Sequence, residues 1–450
     1  MNIHPAPFVA VFGGACAGSE AAHQLAQRGF YVAVFDQQTL PYGKIEDGLP
    51  KWHVKLRNKE ENKINQKLSH PNVFFVPNTK LGADIQFQDV VKNWGFSAIL
   101  LASGAWRDRP LPVEGVDAYV GKGLYYQNPF VDWFNHHHEP GYNRYNYHVE
   151  DDAVVVGGGL ASIDVVKIVM LETTVAALAK RGIQMDVITL EHKGIPKALA
   201  ELGLKFEDLG LKGCTLYYRR RNIDMPLSSI PPGATPEKIA KIQEVRKKIL
   251  NNAMEKFLFR FQECSRPVDK IVEGDRLVGL VFQRTNIVDG RVKPLPGTEF
   301  EVRTPQVISS IGSIPEPIPG IPTRGELFDI RDEETGKLDD YENVFALGNA
   351  VTGRGNIRES ELHARKVVRH VIENFLHWQE DDAERFQTDD QVTPDAEREK
   401  RILTTDKIQS VLERIRIRQQ EVGYHGDFMK WVEEHLPIRL EDMVEGAQKE

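Results

Sequence analysis

FVAVFGGACAGSEAAHQLAQRGFYVAVFD, residues 8–36, decides the fold. Residues 8–12, FVAVF, form an unbroken apolar run with β-branched members. The run is too short for a helix and is followed by glycine, so it reads as a strand buried on both faces. Gly13-Gly14-Ala15-Cys16-Ala17-Gly18 follows at once. Ala21, Ala22, Leu25 and Ala26 then fall on one helical face, and Gly29 stops the helix. Residues 31–35, YVAVF, give a second buried strand that ends at Asp36. A strand, a glycine turn, a helix and a strand within about thirty residues are the βαβ start of a parallel sheet.

A dinucleotide-binding turn needs glycine for the tight bend, a small residue where backbone meets pyrophosphate, and a third small residue where helix packs on strand. Gly13, Ala15 and Gly18 stand in those places. The pyrophosphate then rests on the helix N-terminus, whose free N–H groups and dipole favour anions. Asp36, at the tip of the next strand, accepts hydrogen bonds from ribose hydroxyls. Cys16 also lies at this helix start, where the reading is a small packing residue rather than a reactive thiol.

The same grammar recurs. Residues 153–156, AVVV, read as a strand, 157–162, GGGLAS, as a turn, and 163–180 as a helix. Gly157, Gly159 and Ser162 take the three fingerprint places. Residues 214–218, CTLYY, read as the following strand, with Arg219, Arg220 and Arg221 after it. Guanidinium groups there pair with a 2′-phosphate, which points to NADP(H). The competing reading makes residues 184–190, QMDVITL, the strand and Glu191 the ribose acid, favouring NADH; its spacing departs from the usual interval of about 20 residues.

Composition bounds the rest. The chain has 450 residues, with 57 basic and 65 acidic positions and a net charge of −8. At 41% hydrophobic and 27% charged it is not a disordered chain. The acidic balance argues against a nucleic-acid partner. No apolar run reaches the roughly 18 residues of a membrane span, and the start lacks the pattern of a secretory signal. Cys16, Cys214 and Cys264 include no two-residue-spaced redox pair and no cluster-binding set, so a reducing, cytoplasmic setting is expected. Any electron chemistry must therefore run on a bound organic cofactor, and no catalytic side chain is singled out. His136-His137-His138 reads as a solvated loop, and no metal site is expected.

Further along, residues 124–148 read as loop-rich, with Tyr125, Tyr126, Phe130, Trp133 and Phe134 as interdomain core. Residues 236–263 read as a basic amphipathic helix running into a strand. Residues 277–310 alternate as strands around a turn at Asp289-Gly290, and 343–347 are a buried strand leading into Gly348-Asn349. Residues 380–402 read as an acidic linker, and residues from 403 carry helical spacing.

In this setting the chain resembles a family. Residues 102–115 (ASGAWRDRPLPVEG) look like the ATG-containing segment of two-dinucleotide flavoproteins, and 40–50 (LPYGKIEDGLP) like their flavin-contacting loop. Residues 127–135 (QNPFVDWFN), 157–167 (GGGLASIDVVK) and 218–226 (YRRRNIDMP) resemble adrenodoxin-reductase-type NADPH:ferredoxin reductases and the related glutamate synthase small subunits. Residues 309–322 and 347–357 fit the return to the flavin domain. The likeness implies an α/β fold of two Rossmann-like domains, the NADP domain inserted into the FAD domain, with a helical C-terminal extension. The implied layout is 1–115 and 311–379 for FAD, 116–310 for NADP, 380–402 as linker and 403–450 as extension.

The resemblance also implies roles. FAD is held by Gly13, Ala15, Cys16, Ala17, Gly18, Asp36, Gly43, Leu49, Ser103, Gly104, Gly348, Asn349, Asn356 and Ile357. NADP(H) is held by Gly157, Gly159, Leu160, Ala161, Ser162, Arg219 and Arg220. The activity implied is hydride transfer from NADPH to flavin and onward passage of electrons to a ferredoxin or other small acidic redox protein. The chain is expected to be a monomer or homodimer. Two other readings stand beside this one: a flavin subunit of a larger glutamate-synthase-like enzyme, and a non-catalytic FAD/NADP(H)-binding sensor. Asn349 occupies a place where ferredoxin reductases commonly carry tryptophan, and Thr352-Gly353-Arg354-Gly355 replaces their usual basic-glycine-proline run. The cysteine-rich cluster domain of glutamate synthase subunits has no counterpart. Acidic acceptors call for basic steering, for which Lys238, Lys241, Arg246, Lys247 and Lys248 are candidates, with Glu237 and Glu244 as local counter-charges.

Overall fold

Two parallel sheets organise the chain, one in each of two units. The computed structural model describes residues 3–231, 233–378 and 399–443. The first unit draws on Met1–Leu49, His53–Arg107 and Ser313–Pro437; the second on Pro50–Trp52, Asp108–Gly312 and Ile438–Glu450.

The first unit opens with β1 (Phe8–Phe12), α1 (Cys16–Ala26) and β2 (Tyr31–Phe35). Then come α2 (Val54–Leu68), β3 (Val73–Val76) and β4 (Ala98–Leu101). All residues of β1, β2 and β4 are buried, as strands covered on both faces must be. The pleat sorts them: Val9, Val11, Val32 and Val34 enter one core with Ala21, Ala22 and Leu25 of α1. Phe8, Ala10, Phe12, Tyr31, Ala33 and Phe35 enter the core on the opposite face.

The second unit holds β5 (Leu124–Tyr126), α3 (Gln127–His136), β6 (Val154–Gly157), α4 (Leu160–Ala179) and α5 (Val187–Lys193). It continues through β7 (Thr215–Tyr217), α6 (Pro236–Phe257), β8 (Arg260–Gln262), β9 (Ser265–Glu273), β10 (Arg276–Val288), β11 (Arg291–Arg303) and β12 (Val307–Ser310). Its parallel sheet runs β5-β12-β6-β7-β8, and β9-β10-β11 form a separate antiparallel sheet. Asp289 and Gly290 join β10 to β11 with φ of 49° and 70°, the paired positive values that a two-residue hairpin turn requires.

The chain returns to the first unit with β13 (Val344–Ala346) and α7 (Ile357–His370), completing a parallel sheet of order β13-β4-β1-β2-β3. Two further helices, α8 (Thr405–Glu421) and α9 (Phe428–His435), cover its β3 edge. Gln419 Nε2 donates to Phe75 O at 2.7 Å, Arg418 Nε to Thr79 Oγ1 at 2.9 Å, and Trp431 Nε1 to Thr39 O at 2.8 Å. A charged extension thus caps an edge that would otherwise be open to pairing.

Three sequence expectations change here. Residues 127–136 are helix rather than loop, because Pro129 in the first turn costs no internal hydrogen bond and Phe130, Val131, Trp133 and Phe134 are buried along it. Phe130, Trp133 and Phe134, expected as interdomain core, belong to the second unit's own core, with Tyr125 packed against it and Tyr126 against that unit's other core. Residues 187–193 are helix, with Asp186 accepting from Thr189 N at 2.8 Å, so the NADH-favouring strand does not exist. The acidic linker falls largely on residues 379–398, outside the described residues. Among the described residues no helix is long and apolar enough to cross a membrane.

Candidate dinucleotide sites

In the first unit the turn after β1 is fixed by backbone contact. Gly13 has φ +104°, and a Cβ there would lie 2.4 Å from Ala102 O; one on Gly18 would lie 1.7 Å from Gly13 O. Both positions therefore require glycine. Gly43 and Gly348 close over the same turn: a Cβ would come within 3.0 Å of Ala15 Cβ at the first and 2.6 Å of Ala17 Cβ at the second. Ser103 N lies 3.3 Å from the Cβ position of Gly13. Ala15 caps α1 without any side-chain hydrogen bond, and no acid occupies its first turn. The N-terminal N–H groups of α1 are accordingly left without a side-chain cap, beside Gly43, Ser103 and Gly348.

Asp36 is 5% exposed. Gly14 N donates to its Oδ2 at 2.7 Å and Gln38 N to its Oδ1 at 2.9 Å. Burial pushes its carboxyl up to about 6, with Asp47 adding to the rise and the two N–H donors opposing it. Each oxygen keeps a free lone pair for a ribose hydroxyl. Cys16 packs against the core, and burial, with Glu361 and Glu60, pushes its thiol up to about 12, so it is no nucleophile.

The other positions expected on the flavin side lie on the returning segment and on the turn's flanks. Gly104 has φ +71° and faces Trp106; Leu49 is half-buried after the short helix Lys44–Asp47. Gly348 N donates to His363 Nδ1 at 2.9 Å, and His363 Nε2 lies 2.6 Å from Glu333 O. This fixes a neutral imidazole, and burial holds its pKa below the ordinary value. Asn349 Oδ1 accepts from Gly355 N at 2.7 Å; Asn356 caps α7 through Arg358 N and Glu359 N, and Ile357 begins it. Glu20 of α1 meets Lys67 of α2 at 2.9 Å and Arg365 of α7 at 2.7 Å. Burial raises its carboxyl, but Arg365 and Lys67 outweigh that and hold it at about 2.

In the second unit the turn after β6 repeats the device with different chemistry. A Cβ on Gly157 would lie 2.2 Å from Ser162 Oγ and 2.4 Å from Ser310 O. Ser162 Oγ donates to Ser310 O at 2.9 Å and accepts from Gly159 N at 3.3 Å. A Cβ on Gly158 would lie 2.1 Å from the Tyr218 ring, which covers that residue. A Cβ on Gly159 meets nothing within 4 Å, and the neighbouring Leu160 and Ala161 are exposed. The N-terminus of α4, free of acids in its first turn, opens there to solvent.

The three arginines after β7 have three different environments. Arg219 is exposed, and its guanidinium makes no hydrogen bond or ion pair among the described residues. Arg220 Nη1 donates to Gly290 O at 3.0 Å. Arg221 is paired with Asp224 through two contacts of 2.8 and 3.0 Å. Glu191, the rival ribose acid, pairs instead with Lys167 at 2.8 Å. Arg246 is 8% exposed and donates to Ser228 O and Ile223 O, so it is removed from the basic patch. Lys247 pairs with Glu244 at 2.8 Å, and Lys238, Lys241 and Lys248 remain exposed. His137 Nδ1 lies 3.0 Å from Trp133 O with its ring stacked on that indole, and His136 faces Glu139. Lys51, also in this unit and 6% exposed, places Nζ 4.2 Å from the Phe134 ring centroid; burial lowers its pKa to about 8, against the pull of Glu172.

The sequence reading missed Tyr218, Ser310, Glu20 and His363. Only Tyr218 carried a local signal, as the aromatic before the arginines.

Residues 8–194 match the pyridine nucleotide-disulphide oxidoreductase family. The mitochondrial NADPH:adrenodoxin oxidoreductase of Arabidopsis thaliana is 26% identical over 254 residues, 54% of this chain and 50% of that protein. The NADPH-ferredoxin reductase FprA of Mycobacterium tuberculosis is 25% identical over 373 residues, 76% of this chain and 77% of its own. The first curated relatives are matched over half of their length or less. The solved structure of the Mycobacterium tuberculosis FprA in complex with NADPH superposes with a TM-score of 0.65 at 18% identity, covering 92% of this chain and 91% of that one. The chain therefore resembles adrenodoxin-reductase-type reductases in sequence and shares their two-domain fold.

Proposed function

We propose that this chain is an FAD-dependent oxidoreductase that takes hydride from NADPH and passes electrons to a ferredoxin-like acceptor in the cytoplasm. The observation that carries the reading is a pair of equivalent seats with opposite charge at the ribose end. After β2 stands Asp36, buried and held by two N–H groups; after β7 stand Arg219 and Arg220. A carboxylate accepts from ribose hydroxyls and repels a 2′-phosphate, whereas guanidinium groups recruit one.

The residues fit both nucleotides. The α1 seat, whose turn is held tight because Gly13, Gly18 and Gly348 leave no room for a Cβ against Ala102, Gly13 and Ala17, would hold the FAD pyrophosphate on the uncapped start of α1, and Asp36 its adenosine ribose. Ser103, Gly104, Leu49, Asn349, Asn356 and Ile357 would line the remainder of that cofactor. Gly159, Leu160 and Ala161, at the open start of α4, would hold the NADPH pyrophosphate. When bound, FAD supplies the hydride acceptor and the means of releasing electrons singly. The protein positions, excludes water and sets the local charge. Cys16, with its raised pKa, and the buried Cys214 form no relay, so disulfide exchange is not part of the reading. Lys238, Lys241 and Lys248 are the basic groups left to steer an acidic acceptor.

Anaerobic addition of NADPH to the purified protein tests this. The flavin absorbance should bleach, and a panel of ferredoxins, flavodoxins and quinones should restore it at different rates, fastest with an acidic ferredoxin. A protein that holds no flavin, or one that stays oxidised under NADPH, overturns the reading.

A further inference from the structure

The β10–β11 hairpin ends on the arginine segment. Its tip carbonyl, Gly290 O, accepts from Arg220 Nη1 at 3.0 Å. Lower on the same hairpin, Thr285 Oγ1 donates to Arg219 O at 2.9 Å. Thr285 N also donates to Cys264 O at 2.9 Å, and Cys264 N to Arg220 O at 3.0 Å. The backbone of both arginines is thereby tied to the hairpin, and one of the two side chains is held by its tip.

We infer that the tip of the β10–β11 hairpin positions Arg220 for the 2′-phosphate and so sets the preference of this chain for NADP(H) over NAD(H). The inference rests on the function proposed above and extends it to an element outside the fingerprint. The choice of acceptor is the physical argument. Arg221, two contacts deep in the Asp224 carboxylate, is neutralised and unavailable. A carbonyl restrains the guanidinium of Arg220 without cancelling its charge, and leaves its other N–H donors for a phosphate oxygen. Arg219 carries no such restraint and adds a second, adaptable charge. Restraining one arginine in advance removes the ordering cost from the binding step.

The test shortens the hairpin. Replacing Ile287–Val292 by Asn-Gly removes two cross-strand pairs, Ile287↔Val292 and Val288↔Arg291, and withdraws the tip by about 7 Å while keeping a turn that the strands accept. The KM for NADPH should rise about two- to tenfold, the worth of one net hydrogen bond, with kcat and the KM for NADH unchanged. Arg220→Ala is measured alone and with the shortened hairpin. If the tip acts through Arg220, shortening adds nothing in the Arg220→Ala background. An additive loss, an equal loss for NADH, or an unchanged KM for NADPH in the shortened protein overturns the inference. Replacing Arg219 and Arg220 together by alanine separates the two proposals: if that variant too leaves the NADPH to NADH ratio untouched, the 2′-phosphate reading itself fails, whereas an unchanged ratio in Arg220→Ala alone overturns only the inference about the hairpin. Unchanged flavin content and melting temperature in the shortened protein exclude misfolding as the cause of any loss.

Discussion

Gly159→Ala separates the space a ligand needs from the space the protein needs. The residue has φ −93° and ψ 178°, extended backbone that any residue adopts, and its Cβ position is open to 4 Å. Folding therefore loses only the N-cap preference of glycine over alanine, about 1 kcal/mol or less. For a domain of this size that lowers the melting temperature by roughly 2–4 °C. The new methyl stands where pyrophosphate oxygens must approach the start of α4. Overpacking of that kind costs about 1–3 kcal/mol, or roughly a five- to 150-fold rise in dissociation constant. Pyrophosphate is common to both nucleotides, so the KM values for NADPH and NADH should rise by the same factor, with flavin content intact. Calorimetric titration with NADP⁺ checks the affinity directly. Gly157→Ala is the control: its Cβ would meet Ser162 Oγ at 2.2 Å and Ser310 O at 2.4 Å, so it should destabilise the unit rather than block a ligand. A Gly159→Ala protein that binds both nucleotides as tightly as the parent refutes the placement of pyrophosphate on this turn.

Replacing both Arg219 and Arg220 by alanine should raise the KM for NADPH at least tenfold, since each charge-assisted contact contributes about 1.5–3 kcal/mol, and leave the KM for NADH nearly unchanged; steady-state kinetics decide it. Glu20→Gln should lower stability by about 1–2 kcal/mol at pH 7, because Arg365 and Lys67 hold the carboxyl at about 2 against an ordinary 4.5 while solvent screens part of that gain. A depressed acid stabilises above its unfolded pKa, so the gap should be full above about pH 4.5 and close as pH falls toward 2, read by denaturant melts. Lys51→Met should act with the opposite sign. The lysine is held at about 8 against an ordinary 10.5, so it destabilises while protonated in the unfolded chain. Its replacement should raise stability by about 2–3 kcal/mol at pH 7, and the gain should vanish as pH climbs from 8 to 10.5. Equal melts at pH 7 would refute the burial argument.

Much of the fold was legible because its signals are local. FVAVF, YVAVF and AVVV are too short and too apolar to be anything but covered strands, and a glycine turn leads directly from each fingerprint strand into a helix. The errors arose where distant residues decide. Residues 124–148 read as loop-rich, yet the proline at 129 sits in a first turn, where it forfeits nothing, and the buried face of α3 does the rest. Gly158 is an unconstrained position in the fingerprint, and only the Tyr218 ring, some sixty residues on in the chain at the end of the neighbouring strand β7, explains it. Ser162 could be read as the third small residue, but not as a bridge to Ser310. Three consecutive arginines look equivalent in a sequence. Asp224, three residues on, was the local clue that Arg221 was spent; Gly290 offered none for Arg220.

Two seats built on the same grammar pose a sorting problem, because both would accept an adenine dinucleotide by its pyrophosphate alone. Charge at the ribose end solves it asymmetrically. Asp36 cannot turn away: two backbone N–H groups hold it, and it is 5% exposed. A 2′-phosphate placed beside it would face a fixed like charge, a juxtaposition that costs several kcal/mol. The rise of its carboxyl to about 6 weakens this rejection only in acid. At the second seat the positive charge is divided between a tethered and a free arginine, so attraction begins with Arg219 at range and geometry is fixed by Arg220 on contact. Under the proposed function, rejection would be rigid where the cofactor stays bound, and recruitment partly mobile where the nucleotide must arrive and leave at every turnover. That division of stiffness follows from the partner each group found: two backbone N–H donors for Asp36, one carbonyl acceptor for Arg220 and, among the described residues, none for the Arg219 side chain.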